Sequence, residues 1–377
     1  MNFDFNEDQN FIKNDARRFL TDRCDMEMVR GYLEEDSHQL NPLWQEIVEL
    51  GWLGVAIPEE YGGLGMGYLE LCVIAEELGR VVAPVPFSSS IYLAAEAILQ
   101  YGSEEQKQNY LPRIAAGELI GTLAWVDPAE QGQAVVFKDG AISGSKQAVP
   151  HGTLATVAVV AARNADGDAV LVITELSDAV QREAQTAVDP SQRLARLRFD
   201  QQPAELLEKG DRGDEALNNI FDRAAVMFAF EQVGGAERCQ EMAADYVKER
   251  KTFSRAVGSY QAVKHKLATM YAQNELARSN AYYGAWALAS DSDELPLAAS
   301  TARISACDCF EFAAREGLHL HGGMGYTWEV DCHLYLKRSR DLALKLGSKR
   351  HWNEKLVVRA VESMRDPDSV PTWLANC

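Results

Sequence analysis

The sequence predicts an α+β fold, with an N-terminal helical domain, a middle antiparallel β domain and a C-terminal helical bundle. Apolar residues recur at three- and four-residue spacing through most of residues 1–119 and 213–377, which is typical of amphipathic helices. Residues 120–212 instead contain short runs rich in Val, Ile and Ala, separated by turn residues. Because helices and strands do not alternate along the chain, the order of elements argues against a doubly wound α/β fold.

The N-terminal region contains two clear helical stretches, at residues 44–53 and 69–78, separated by Pro58 and several glycines. A further helix is expected to begin at Ser103. Its side chain is suited to cap the helix, and Gln106 stands at the partner position of a capping box.

The β domain is predicted from three apolar runs, at residues 134–137, 156–160 and 169–174. Turn-forming residues lie between them, including the Asn, Asp and Gly of residues 164–167. Their short length and spacing favour an antiparallel sheet of modest size.

The C-terminal region predicts three long helices. Residues 214–253 contain no proline and only two glycines, Gly234 and Gly235, and are expected to form one very long helix. Further helices are predicted at residues 260–290 and 296–316, before a glycine-rich loop at residues 322–325. Adjoining long amphipathic helices indicate a helix bundle.

Composition excludes several classes of function. The chain has 377 residues with 37 basic and 56 acidic side chains, a net charge of −19, so a nucleic-acid-binding role is disfavoured. No run of about 18 apolar residues is present to cross a membrane, and the acidic N-terminus lacks a signal-peptide pattern. We therefore expect a cytoplasmic protein with no membrane partner.

The cysteines and histidines show no pattern typical of a metal site. The seven cysteines are scattered, so a disulfide framework is disfavoured and buried free thiols are expected. No metal site is predicted.

Several motifs, in order over nearly the whole chain, together resemble the acyl-CoA dehydrogenase family. Residues 50–65, LGWLGVAIPEEYGGLG, are similar to the family stretch LGxxGxxxPEEYGGxG. Residues 76–80 and 102–112 fit the two helices that follow it in the family. Residues 250–253, RKTF, with Gln261 match the family motif R-K-x-F…Q, and residues 322–326, GGMGY, match its glycine loop.

The resemblance implies an FAD cofactor and an acyl-CoA substrate that is oxidised to the 2,3-enoyl-CoA. A carboxylate takes the α-proton and the flavin takes the β-hydride. It also implies an oligomer in which each flavin lies between two subunits. The β domain of one subunit holds the flavin ring, and the bundle of its neighbour holds the adenine and pyrophosphate. An electron-transferring flavoprotein is the expected electron acceptor.

The neighbour-side half of the family's flavin site is kept in this sequence. By the resemblance, the residues that bind the cofactor are Arg250, Phe253, Gln261, His319, Gly322 and Gly323. His319 stands where the family often has Gln, and Ser254 stands where the family has Gly.

The half that holds the flavin ring departs from the family pattern. Val126 replaces a threonine, Ala148 replaces the tryptophan that packs on the ring, and Pro150 replaces a threonine that bonds near N5. The family's Gly-Ser-Asp loop is lost within residues 129–133.

The catalytic carboxylate is missing from both positions where the family places it, which hold Leu346 and Ala224. Ala225 likewise replaces an arginine that the family often has. Glu231, seven residues after Ala224 on the same helical face, is the candidate for a relocated base or for an inter-helix ion pair. Asp222 and Glu329 are weaker candidates, and the histidines of the glycine loop are expected to bind rather than to act as bases.

Three functional hypotheses follow. The first is the subunit of an α2β2 acyl-CoA dehydrogenase that lacks the base and works with a paralogous chain on a bulky substrate, as in steroid or aromatic catabolism. The second is a self-sufficient homo-oligomer that uses Glu231 as the base. The third is a non-redox scaffold or CoA-ester-binding protein. The basic residues between Lys337 and Lys355 are expected either to form a solvated or interface helix or to attract CoA phosphates or an acidic partner subunit.

Overall fold

The computed structural model describes residues 6–34, 40–129 and 134–365. The order of elements follows the predicted fold class, with helices, then a sheet, then long helices. Within the described residues the α-helices are α1 (Glu7–Arg23), α2 (Met26–Glu34), α3 (Pro42–Glu49), α4 (Tyr68–Arg80), α5 (Glu96–Tyr101), α6 (Glu104–Ala115), α7 (Gly213–Glu249), α8 (Gln261–Ala289), α9 (Leu295–Leu320), α10 (Cys332–Leu344) and α11 (Lys349–Arg365).

The predicted capping box at the start of α6 is confirmed. The Gln106 amide N–H donates to Ser103 Oγ at 3.1 Å, and the Ser103 N–H donates to Gln106 Oε1 at 2.9 Å. Before α5, residues Ser88–Ala95 form a fully buried π-helix. This element packs on the backbone of Gly121, where a Cβ would lie 2.5 Å from that of Ala94.

The middle region forms an eight-stranded sheet with the order β6-β7-β3-β2-β4-β5-β8, while β1 pairs with β4. The strands are β1 (Gly121–Ala124), β2 (Val136–Lys138), β3 (Ala141–Pro150), β4 (Val157–Arg163), β5 (Ala169–Glu175), β6 (Gln181–Gln185), β7 (Leu194–Pro203) and β8 (Glu205–Leu206). Most pairings are antiparallel, as predicted, but β1 and β2 each pair with β4 in parallel. All three predicted apolar runs overlap strands.

Strand β3 is irregular where it approaches its end. Its register with β7 shifts between Lys146 and Val149, and Ala148 between them has a φ of +51°. Such a bulge bends the strand and takes one residue out of the regular ladder. This irregular segment is the one that the family resemblance places against the flavin ring.

The three long C-terminal helices are α7, α8 and α9, and each extends within a few residues of its prediction. Helix α7 runs for 37 residues. Within the stretches Cys72–Ala83 and Ala225–Cys377, α4 and α7 cross at two glycines. A Cβ added at Gly79 would lie 1.9 Å from the Glu231 carbonyl oxygen, and one at Gly234 would lie 1.9 Å from the Glu76 carbonyl oxygen.

The chain divides into two compact units assembled from separated stretches. The sheet unit comprises Glu27–Leu71 and Pro84–Ala224, and the bundle unit comprises Met1–Met26, Cys72–Ala83 and Ala225–Cys377. Each unit combines residues from the predicted N-terminal domain with residues from the predicted C-terminal domain. The division into domains 1–119, 120–212 and 213–377 therefore stays a prediction.

Six cysteines fall within the described residues, and all six are buried free thiols, as predicted. The seventh, Cys377, lies outside the described residues. No helix among the described residues is long and apolar enough to span a bilayer.

The close crossing of α4 and α7 makes a sharp prediction for stability. Gly79→Ala should lower the free energy of unfolding by about 1–3 kcal/mol or more, because the methyl group meets a backbone carbonyl that cannot move alone. The matched control is Gly31→Ala in α2, where a Cβ has no neighbour within 4 Å. That control should raise stability by about 0.5–1 kcal/mol, because alanine favours the helix. Urea denaturation followed by circular dichroism measures the free energy of unfolding of both variants. Equal changes in the two variants would contradict the close approach of α4 and α7.

Candidate functional site

The six residues predicted to bind the cofactor all lie in the bundle unit and are all exposed. They stand at three helix ends: the end of α7, the start of α8, and the end of α9 with the 3-10 turn Gly322–Tyr326. In chain order these are Arg250, Phe253, Gln261, His319, Gly322 and Gly323.

Contacts between these helices bring the ends together. Helices α8 and α9 pack along their length, and Lys266 near the start of α8 forms an ion pair with Glu316 near the end of α9. Glu316 also lies 3.9 Å from His319 Nδ1. The Val257 N–H donates to the Arg250 carbonyl at 2.7 Å, which holds the connection between α7 and α8.

That connection is a two-residue hairpin with Phe253 and Ser254 at its tip, between β9 (Lys251–Thr252) and β10 (Arg255–Ala256). Both tip residues have positive φ, +49° and +64°, as a type I′ turn requires. This explains the glycine that the family has at the position of Ser254. The Phe253 side chain is 93% exposed, so the turn presents an aromatic ring to solvent.

Arg250 is free to bind an anion. Its exposed guanidinium makes no hydrogen bond or ion pair with any other residue that the structure describes. Nearby, the first turn of α8 has no side-chain cap at Tyr260, so its N–H groups point outward from a positive helix end. A guanidinium and an uncapped helix start are both suited to a diphosphate.

The fold requires glycine at one position of the loop but not at another. A Cβ at Gly325 would lie 2.3 Å from the Leu318 carbonyl oxygen, so the chain itself demands glycine there. A Cβ at Gly323 would meet nothing within 4 Å, and Gly323 has no positive φ. The fold therefore gives no reason for glycine at position 323, whereas the close approach of an external group would.

Leu346, which the sequence predicts at the first family position for the base, is 1% exposed. Its φ is +61°, and its carbonyl oxygen accepts a hydrogen bond from Trp352 Nε1 at 3.0 Å. The buried guanidinium of Arg303 donates to the carbonyls of Leu342 and, at 2.6 Å, of Lys345. The turn is thus rigidly held, but its side chain is a hydrocarbon that cannot accept a proton.

Ala224, predicted at the second family position for the base, is fully buried. The alternative base, Glu231, is 6% exposed and lies 3.3 Å from Arg338 in an ion pair between α7 and α10. Burial raises the pKa of Glu231, and the charge of Arg338 opposes that shift. Arg338 also donates to the Val82 carbonyl at 2.9 Å, so the pair is built into the packing of the bundle unit.

The two weaker candidates for the base differ in their exposure to solvent. Asp222 is 4% exposed, while Glu329 is exposed at the surface. No group of three His, Cys, Asp or Glu side chains within the described ranges could hold a metal ion.

In the segment that would face the flavin ring, in the sheet unit, two backbone N–H groups are already engaged within the chain. The Ala148 N–H donates to Gln185 Oε1 at 2.7 Å, and the His151 N–H donates to the Arg193 carbonyl at 2.6 Å. Pro150 has no N–H to offer. His151 Nδ1 lies 3.0 Å from Ser89 Oγ. Ala148, Pro150 and His151 therefore offer no backbone N–H to the ring half of a flavin site.

Part of the altered motifs is nevertheless retained as structure. Lys146, only 2% exposed, forms a short ion pair with Asp127. Burial lowers the pKa of Lys146, and the contact with Asp127 opposes that change. The lost Gly-Ser-Asp loop falls largely on residues 130–133, which lie outside the described residues.

A buried polar cluster in the sheet unit was not predicted from the sequence. The Tyr68 hydroxyl lies 3.0 Å from both carboxylate oxygens of Glu96, and Arg223 donates to Glu96 and, at 2.9 Å, to Tyr68. Burial, and then the charge of Glu96, raises the pKa of Tyr68, so the phenol keeps its proton. The cluster adjoins Ala224 in sequence. The one feature of the sequence that could have indicated this cluster is Glu96, an isolated acid in the apolar stretch at residues 91–99.

The basic residues of α10 and α11 are largely neutralised locally, which favours the solvated or interface helix over attraction of CoA phosphates. Two lie near aromatic rings: Lys337 Nζ is 5.3 Å from the Trp328 centroid, and Lys355 Nζ is 4.6 Å from that of Trp352. The remaining basic residues between Lys337 and Lys355 pair with acids: Arg338 with Glu231, Arg340 with Glu311, Lys345 with Asp341, Lys349 with Asp308 and Arg350 with Glu354.

Comparison with known proteins identifies relatives over the whole described architecture. The acyl-CoA dehydrogenase N-terminal domain matches residues 6–118, and the acyl-CoA dehydrogenase C-terminal domain matches residues 211–349. Acyl-CoA dehydrogenase IpdE2 of Mycobacterium tuberculosis is 30% identical over 362 residues, which cover 95% of this chain and 97% of the relative.

Two solved structures share the fold at appreciable identity. A chain of a variant of the Tcur3481-Tcur3483 steroid ACAD aligns with a TM-score of 0.85 and 29% identity, covering 96% of this chain and 99% of its own. A chain from work on the electron transferring flavoprotein of Acidaminococcus fermentans aligns with a TM-score of 0.88 and 26% identity, covering 97% and 100%.

The contrast between the two loop glycines can be tested on the chain alone. Gly323→Ala should leave the midpoint of urea unfolding unchanged, since the added methyl group meets no neighbour. Gly325→Ala should lower the free energy of unfolding by about 1–3 kcal/mol through its clash with the Leu318 carbonyl. A clear loss of stability in Gly323→Ala would show that the fold, rather than a ligand, requires that glycine.

Proposed function

The chain belongs to the acyl-CoA dehydrogenase family, and from this premise we propose that it is an FAD-dependent acyl-CoA dehydrogenase subunit that lacks the catalytic base. In this proposal it works in a hetero-oligomer with a paralogous chain. The observation that carries the proposal is the contrast between two half-sites. The bundle unit offers a free Arg250 and an open Gly323, while the ring-side segment of the sheet unit has its donors engaged internally.

The residues of the bundle unit would hold the adenosine diphosphate part of FAD. Arg250 would donate charge-assisted hydrogen bonds to the diphosphate, supported by the uncapped start of α8 at Gln261. Gly322 and Gly323 would allow backbone contact, and Phe253 would supply an apolar wall. His319 would donate one hydrogen bond where the family often has Gln. When bound, FAD supplies the hydride acceptor that the oxidation of an acyl-CoA to an enoyl-CoA needs.

The α-proton of the substrate must go to a carboxylate that this chain does not place at the family positions. Leu346 and Ala224 have no basic atom, and both are buried. In the proposal the paralogous chain supplies that carboxylate together with the ring-side half of the flavin site. The products are the 2,3-enoyl-CoA, a proton on the partner's carboxylate and a reduced cofactor that an electron-transferring flavoprotein would reoxidise.

The substrate class is proposed from the relatives. The Tcur3481-Tcur3483 structure bears the name of a steroid enzyme, and at 29% identity it supports a CoA ester of a bulky carboxylate such as a steroid side chain. Its paired name also supports assembly with a second, related chain. The likeness to a chain from work on an electron transferring flavoprotein supports that class of acceptor.

A self-sufficient homo-oligomer is the second candidate, favoured by the raised pKa of Glu231. In that case Glu231 would be the base, and its ion pair with Arg338 would have to open during turnover.

Flavin content tests the shared site. We expect no FAD in the chain purified alone, and about one FAD per heterodimer with a paralogue that carries the family Glu and Gly-Ser-Asp loop. Arg250→Ala should weaken FAD binding by the complex about 10- to 100-fold, because a hydrogen bond to a charged group is lost. The matched control is Arg198→Ala, an exposed arginine of β7, which should leave the content unchanged.

Other flavin contents would contradict the proposal. One FAD per chain in the protein alone would favour the homo-oligomer. A complex that forms without any FAD would favour the non-redox scaffold.

The role of Glu231 is tested by Glu231→Gln and Arg338→Gln in the reconstituted complex. Under our proposal both variants lower thermal stability, because each leaves a buried partner without its counter-charge. The turnover number per bound flavin should stay within about twofold of wild type in both. A loss of about 1,000-fold or more in Glu231→Gln alone would instead identify Glu231 as the base, since removal of general base catalysis has effects of that size.

A further inference from the structure

His321 lies directly before the two open glycines and connects them to the interior of the bundle unit. It is 7% exposed, and its ring stacks on Tyr246 of α7 with centroids 4.4 Å apart and planes 28° apart. Neither residue belongs to the set predicted to bind the cofactor. The stack joins the end of α9 to the last turns of α7.

Hydrogen bonds fix the orientation of the His321 ring. Nδ1 lies 2.7 Å from the Gly317 carbonyl oxygen, and because a carbonyl only accepts, Nδ1 carries the proton. Cys332 Sγ at the start of α10 lies 3.4 Å from the same nitrogen. Burial raises the pKa of Cys332 to about 11, so it stays a neutral thiol. The ring is held by α9 and α10 while it presents a face to Tyr246.

Tyr246 is linked in turn to Arg250. The Tyr246 carbonyl accepts the Arg250 N–H at 2.9 Å, as the last hydrogen bond of the helix. A continuous path therefore runs from Arg250 through Tyr246 and His321 to Gly322. It spans the two parts of the site that come from separate helix ends.

We propose that the Tyr246–His321 stack positions the cofactor half-site by fixing the spacing between Arg250 and the Gly322–Gly323 loop. This inference rests on the proposed function, since it assumes that both parts contact one diphosphate ligand. Tyr246 and His321 are positioning residues and do not themselves touch the ligand. Loss of the stack leaves the loop tied to α9 through Gly325 and Leu318, but no longer tied to α7 by this contact.

The test uses ADP, the adenosine diphosphate portion of FAD, and the full chain without a partner. Titration by saturation-transfer NMR gives the affinity of wild type and of four variants: Tyr246→Ala, His321→Ala, their combination, and Tyr246→Phe. We expect each single alanine variant to bind ADP about two- to tenfold more weakly, the range that a ring–ring contact supports. Tyr246→Phe retains the stack and should bind within about twofold of wild type.

The double variant separates positioning from general damage. If the two rings act as one contact, the combined substitution should weaken ADP binding no more than the stronger single substitution, whereas independent effects would add. Tyr246→Leu, which keeps apolar bulk without a ring, replaces Tyr246→Ala if that variant does not fold. Tyr271→Ala, an exposed tyrosine of α8, is the control and should bind ADP like wild type.

Two results would overturn the inference in different ways. Folded alanine variants that bind ADP as well as wild type would exclude the positioning role and leave the proposed function intact. Wild-type protein that binds neither ADP alone nor FAD in the complex would overturn the proposed function, and this inference with it.

Discussion

The crossing of α4 and α7 is the constraint on which the bundle unit depends. Gly79 and Gly234 let the two backbones approach to a distance that no side chain would allow. At that distance the acids and bases of α4 reach α7, α8 and α1. Arg80 pairs with Glu237 at 2.9 Å, and buried Glu76 pairs with Arg278 and, at 3.0 Å, with Lys13.

Burial alone would raise the pKa of Glu76, but Arg278 and Lys13 hold that pKa below its ordinary value. The buried charge is therefore tolerable only because the crossing brings its partners within reach.

The surroundings of Arg250 differ from those of the basic side chains that pair with acids in the bundle unit. In a chain with a net charge of −19, basic side chains have many acids to pair with. Most of those between Lys337 and Lys355 are used in that way, as are Arg80 and Arg278 within the bundle unit. Arg250 instead faces solvent beside an uncapped helix start and an exposed aromatic turn. An exposed guanidinium beside an uncapped helix start suits an anionic ligand, and a diphosphate fits the geometry of a guanidinium.

The local sequence pattern was enough to predict the helices and strands. It was not enough to predict the contacts between distant residues around the candidate site. The spacing of apolar residues indicated α7, α8 and α9, and Ser103 with Gln106 indicated a helix start, because these signals lie within one or two turns of chain. The parallel pairing of β1 with β4 and the cluster of Tyr68, Glu96 and Arg223 depend on residues far apart in sequence, with no local signal. The Tyr246–His321 stack is hidden for the same reason. The six residues predicted to bind the cofactor came from family resemblance, since an exposed Arg or Gly has no periodicity that would reveal it.

The turn at Leu346 gives the strongest reason to seek the base in another chain. Leu346 keeps a left-handed backbone, which is costly for a branched residue, and its neighbours Arg303 and Trp352 still bind the carbonyls around it. The turn predicted to correspond to the family's base position is thus firmly held at a cost in backbone energy, while its side chain is a hydrocarbon. A subunit whose bundle must still dock and hold half of a shared cofactor would keep the turn for its shape, and a partner that carries the carboxylate would free position 346 from its chemistry.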